Sequence, residues 1–199
     1  MANIVMATAV NCNICFIGGG NMAQALIGGL ISRGLPPTRI TVSDPVEQIR
    51  QLLQEKEVHV TQDNTAAIQN ADVVVLAVKP QVLANVLRPL KGLLSDKLVI
   101  SIIAGAEIKT ISNLIDSERI VRVMPNTPAL VQTGAHGIYA TDVVGASDRE
   151  LTSQILAATG LTIWVNSEAQ IDAVTAVSGS GPAYFFYLME SMIRAGKNL

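Results

Sequence analysis

Two runs of largely β-branched residues, Asp72–Val78 (DVVVLAV) and Leu98–Ile103 (LVISII), restrict the fold more than any other feature of the chain. Each is apolar without alternation, long enough for a strand and too short for a free-standing helix. Each therefore reads as a strand covered on both faces. Similar runs occur at Ile14–Ile17, Ile40–Val42, Val58–Val60 and Arg119–Met124, and helical patterns cover Met22–Arg33 and Val46–Glu55. Doubly buried strands separated by helices predict a doubly wound α/β sheet. Gly137–Ala140 and Leu161–Val165 extend it by two strands, with a helix over Ser147–Thr159 between them. The expected fold is a Rossmann-like, mostly parallel sheet over residues 14–166, after an N-terminal extension of residues 1–13.

The composition fits such a core. Hydrophobic residues make up 49% and charged residues only 15% of the 199, against about 25% charged in an average domain. A net charge of −2 argues against a nucleic-acid binder, which needs clustered positive charge. No apolar run reaches the ~18 residues of a membrane span, so neither nucleic acid nor membrane is expected as a partner. Met1–Cys12 lacks the basic start and cleavage site of a signal peptide. Two cysteines build no disulfide scaffold, and the expected compartment is the reducing cytoplasm. Cys12 and Cys15 have CxxC spacing but run into a strand, where residues three apart face opposite ways, whereas the redox motif needs a helix start after the first cysteine.

Gly18-Gly19-Gly20-Asn21-Met22-Ala23 fits G-x-G-x-x-A between the first strand and an amphipathic helix. The first glycine permits a tight turn, the next lets a pyrophosphate approach, and the small Ala23 lets the helix settle on the strand. The helix start offers unpaired N–H groups to phosphates. Asp44 closes the second strand, where an acid bonds a ribose 2′-hydroxyl and favours NAD over NADP. It serves equally as an N-cap before Pro45. Ser43 suits either ribose and Arg50 lies within reach of a phosphate, so the pattern fits NADPH or NADH.

Ligands of doubly wound sheets bind beyond the carboxyl ends of the strands. There lie Ala77-Val78-Lys79-Pro80, Ile102-Ile103-Ala104-Gly105 and Met124-Pro125-Asn126-Thr127-Pro128. Lys79 is the only charged group among them, an anion ligand or a plain surface lysine. Asn126, held between two prolines, suits a nicotinamide carboxamide or a simple turn. His59 and His136 have no evident carboxylate or metal partner, and no metal site is expected. From Glu168 the pattern becomes helical: IDAVTAV, a Ser-Gly-Ser-Gly-Pro interruption, then AYFFYLMESMIRAGKNL with a wide apolar stripe.

The strings FIGGGNMAQALIGGL, AVKP, SIIAG, VRVMPNTPAL and AVTAVSGSGPAYFF, in this order from Ile14 onward, resemble the pyrroline-5-carboxylate reductase family. The last two are far more specific than the glycine loop. The resemblance implies NADPH- or NADH-dependent reduction of 1-pyrroline-5-carboxylate to L-proline. It implies cofactor contacts at Ile17, Gly18, Gly19, Gly20, Asn21 and Met22, at Ser43, Asp44 and Asn64, and along Ala77, Val78, Lys79 and Pro80 and Ile102, Ile103 and Ala104. It also implies a substrate role for Glu168, for which the residues alone equally allow a first-turn helix carboxylate. A protonated imine accepts hydride without a strong acid, so no catalytic acid is named. Residues 167–199 would begin an all-helical dimerisation domain, giving a homodimer or larger homo-oligomer.

The family carries a further helical region with a substrate-carboxylate loop that is not in these residues. The expectation is accordingly a shortened and weakly active chain. The alternatives are a catalytically silent dinucleotide-binding or assembly module, and a relative of the β-hydroxyacid dehydrogenases. The latter keep a catalytic lysine on the long helix, and SGSGPAYFFYLMESM has none.

Overall fold

In the computed structural model, which describes residues 10–197, eight strands form one sheet in the order β3-β2-β1-β4-β5-β6-β7-β8. These are β1 Ile14–Ile17, β2 Ile40–Ser43, β3 His59–Thr61, β4 Val73–Leu76, β5 Leu98–Ser101, β6 Ile120–Met124, β7 Gly134–Ala140 and β8 Gly160–Trp164. The first six are parallel in the 3-2-1-4-5-6 order of dinucleotide-binding sheets. β7 is antiparallel to β6, and β8 runs parallel to β7. The reversal follows from the chain after β6. Two prolines bracket Asn126, a 3-10 turn covers Thr127–Val131, and Gln132 takes left-handed φ 60 to send the chain back.

Alternation along β1 places the two cores. Ile14 and Phe16 join Leu26 and Leu30 of α1 (Asn21–Ser32), Leu53 of α2 (Glu47–Gln54) and Ile155 and Leu156 of α6 (Ala146–Ala157). Cys15 and Ile17 join α3 (Asn64–Ile68), α4 (Leu83–Leu87) and α5 (Ile108–Ile115) on the other face. Cys12 and Cys15 thus enter opposite cores, and burial pushes their thiols up to about 11 and about 12. They are packing residues in the thiol form.

Several boundaries differ from expectation. β4 and β5 end at Leu76 and Ser101; beyond β4, Ala77 and Val78 line the space above the sheet, whereas beyond β5 Ile102 and Ile103 turn into the two cores. β7 begins three residues early, since pairing with β8 alone draws Gly134, Ala135 and His136 into the ladder despite weak strand preference. The helical interruption is a π-helical turn, Thr175–Gly179, between α7 (Ala169–Val174) and α8 (Gly181–Lys197). Pro182 lies in the first turn of α8, where its missing N–H costs nothing. α7 packs on β6 and β7, with Val174 against bare Gly137. α8 lies almost wholly exposed, its large apolar side chains between 48% and 71% accessible from Tyr184 to Ile193.

Candidate functional site

The glycine turn is built by what cannot fit beside it. Gly18 has φ +100, and a Cβ there would stand 2.6 Å from the Ala77 carbonyl oxygen. Its N–H donates to the Ser43 carbonyl at 2.8 Å. Gly19 is closed in by Ile49 and Leu53 of α2. Gly20 differs: a Cβ there would meet nothing within 4 Å. It starts α1 with no side-chain cap and no acid in the first turn, so the helix start faces open space with its N–H groups free.

Asp44 holds this turn from below. Its Oδ2 accepts from the Gly19 N–H at 2.8 Å and its Oδ1 from the Val46 N–H at 2.9 Å. Arg50 donates to the Asp44 carbonyl at 2.7 Å. The N-cap expectation for Asp44 is corrected: α2 starts at Glu47 with Val46 at its N-cap and no side-chain cap, and Asp44 instead anchors the glycine loop to the segment before α2. The buried Ser43 hydroxyl has no hydrogen-bond partner among the described residues. Asp63 caps α3 through the Thr65 and Ala66 N–H groups at 2.8 and 3.2 Å, which sets Asn64 at the helix start.

These pieces surround a cleft of about 410 Å³, lined by Ile17, Gly18, Gly20, Ser43, Asp44, Asn64, Ala77, Val78 and Lys79 among the expected residues. Pro45, Val46, Ile49, Gln62, Val82 and Val86 complete it. These last were not singled out as site residues: five of them form an apolar wall, which has no chemical signature in a sequence, and Gln62 lies in the turn after β3. Gly19 lies behind the loop, and Asn21, Met22 and Pro80 flank the cleft without lining it. The cleft sits over β1 and β4, where the strand order turns back, the position at which such sheets bind ligands.

The remaining expected residues lie further along the same edge. Ile102 joins the end of β4 through its N–H on the Leu76 carbonyl, and Ala104 is exposed above the buried Ile103. Asn126 lies apart from the cleft, its amide fixed from both sides. Its oxygen accepts from the Ala135 N–H at 2.9 Å, and its nitrogen donates to the Ser178 hydroxyl at 3.0 Å. Glu168 is half-buried beneath, bonded to Arg122 and to the Ile108 N–H. His136 is fully buried with its Nε2 3.0 Å from the Thr159 hydroxyl, and burial lowers its pKa to about 4. A wider groove of about 740 Å³ borders the start of β6. There the Arg119 guanidinium is taken bidentately by Asp148 at 2.7 Å, beside Lys91, Asn113, Asp116 and Glu118.

The strand order, the glycine turn and the uncapped start of α1 define a dinucleotide-binding oxidoreductase domain. Residues 13–105 match the family described as NADP oxidoreductase, coenzyme F420-dependent, and residues 168–199 match pyrroline-5-carboxylate reductase dimerisation. The chain is 48% identical to the pyrroline-5-carboxylate reductase of Pseudomonas aeruginosa over 189 residues, covering 94% of this chain and 69% of that protein. It is 48% identical to that of Haemophilus influenzae, covering 92% and 68%. Among solved structures it is similar to the Coxiella burnetii pyrroline-5-carboxylate reductase, with TM-score 0.86, 45% identity and coverage of 94% and 71%. It is also similar to the Plasmodium falciparum enzyme with NADP bound, with TM-score 0.85, 31% identity and coverage of 96% and 71%. The chain belongs to the pyrroline-5-carboxylate reductase family.

Proposed function

We propose that the cleft over β1 and β4 binds NADPH or NADH and that the chain uses it to reduce 1-pyrroline-5-carboxylate to L-proline. The observation carrying this reading is the uncapped start of α1 beside Gly20, where backbone N–H groups face open space in a chain of this family. The unpartnered Ser43 hydroxyl is a second point of fit. A reduced dinucleotide held there by the glycine turn and Ser43 would supply the hydride that converts the imine C=N to C–N.

The chain's own part is to bind and align. Gly18, Gly19, Gly20, Asn21 and Met22 offer backbone to a pyrophosphate. Ser43, Asp44 and Asn64 take the adenosine ribose, and Lys79 adds the cleft's positive charge. Ala77 to Pro80 and Ile102 to Ala104 follow the strand ends toward Asn126, whose second amide hydrogen is left for the nicotinamide side. An imine already protonated on nitrogen requires no acid from the protein, so orientation is the main contribution. The resemblance gives Glu168 a place on the substrate side, where it bonds Arg122 and the Ile108 N–H.

A second copy is the partner we propose for α8: its apolar side chains stand exposed, and residues 168–199 match a dimerisation region. No helix among the described residues is long and apolar enough to cross a membrane. Two free, buried cysteines support a reducing compartment, and we place the chain in the cytoplasm. The test is imine-dependent oxidation of NADPH and NADH by the purified protein, with cofactor binding followed separately. Oxidation with proline formed supports the reading. Binding without imine-dependent oxidation makes the chain a dinucleotide-binding module instead.

A further inference from the structure

Arg122 is out of place in its strand. The other members of β6 are apolar, yet its side chain is only 3% exposed, with Nη1 3.1 Å from Glu168 Oε1 and Nη2 2.9 Å from Asp172 Oδ1. Glu168 Oε1 also accepts the Ile108 N–H at 2.8 Å, the first amide of α5. One carboxylate oxygen therefore joins the sheet, the start of α7 and the start of α5. A buried ion pair adds little net stability, because desolvation offsets the attraction, but losing one partner strands a buried charge and is costly. Such a pair selects one arrangement over its neighbours.

What it selects is the loop between Ser101 and Ile108. That loop leaves the carboxyl end of β5 beside the end of β4, passes through left-handed Gly105, and is held at its far end by the Glu168–Ile108 bond. We propose that Glu168 is a positioning residue: it latches this loop to Arg122 and the helical segment, fixing the wall of the cofactor site on the nicotinamide side. The latch acts without touching the substrate. This rests on the reading that the cofactor extends across the ends of β4 and β5.

The test compares E168A, E168D and E168Q with the unaltered full-length protein by amide hydrogen exchange, NADPH binding and steady-state kinetics. In E168A the Ile108 amide and the loop before it exchange about tenfold faster, and NADPH Kd rises with them. E168Q keeps an oxygen for the Ile108 N–H and restores most of the protection and affinity. Should E168A fail to fold, E168D keeps the charge for Arg122 but withdraws the oxygen by one methylene, and Ile108 again exchanges faster. A raised imine KM with Ile108 exchange and NADPH Kd unchanged places the carboxylate on the substrate and overturns the proposal. Unchanged exchange in both E168A and E168D overturns it as well. If the unaltered protein binds no dinucleotide, the cofactor reading fails, while exchange at Ile108 still decides the latch.

Discussion

Gly18 and Gly20 stand two residues apart in one turn and respond to a methyl group in opposite ways. At Gly18 the backbone is left-handed and the Ala77 carbonyl is 2.6 Å from the added carbon. Gly18→Ala should cost about 2 kcal/mol or more, read as a lower urea midpoint. At Gly20 the added carbon meets nothing, and φ is −66. Gly20→Ala should fold normally and lose about tenfold in dinucleotide affinity, read by fluorescence titration, because the methyl occupies the approach to the helix start. Asp44→Asn keeps one acceptor where two backbone N–H groups need one each, so it should cost about 1–3 kcal/mol in urea unfolding. The fingerprint was legible because its glycines answer to local needs. Asp44's grip on Gly19 was not: it spans 25 residues and appears only when β2 lies beside β1.

At the scale of the element, β7 shows what a strand owes to its neighbours. His136 lies buried at its centre, with a pKa lowered to about 4. The unfolded chain binds a proton near the ordinary histidine value of ~6.5 and the folded one does not. Stability is therefore full above about pH 6.5 and falls as the pH drops toward 4, by up to about 1.4 kcal/mol per unit. Urea midpoints at pH 7 and pH 5 check this, and His136→Gln should flatten the difference. The strands legible in the sequence were those whose β-branched runs are apolar on both faces, β4 and β5 above all. The first half of β7 was not, since Gly134, Ala135 and His136 become a strand only through β8. α3 and α4, five residues each, are too short for a helical period to show. The π turn escaped too, because its packing of Gly179 against Met124 joins residues far apart in the chain.

For the whole molecule, the exposed apolar face of α8 should set the assembly state. Leu188→Glu, at a side chain 56% exposed, should shift the protein toward smaller species in sedimentation velocity and make its thermal midpoint less dependent on protein concentration, since assembly stabilises the folded chain by mass action. Asn126–Ser178 and Arg122–Glu168 tie that helical arm to β6 across 52 and 46 residues. Neither bond was visible in composition, although the motifs they join were. The Arg122 contact also has a consequence during synthesis. On the ribosome, the arginine emerges 46 residues ahead of its first acid partner, while Ile120–Met124 would otherwise be an uninterrupted apolar β segment. Until α7 follows, the guanidinium stays hydrated and keeps that segment from pairing with another nascent chain. The group that later fixes the finished architecture first serves as the growing polypeptide's own guard against aggregation.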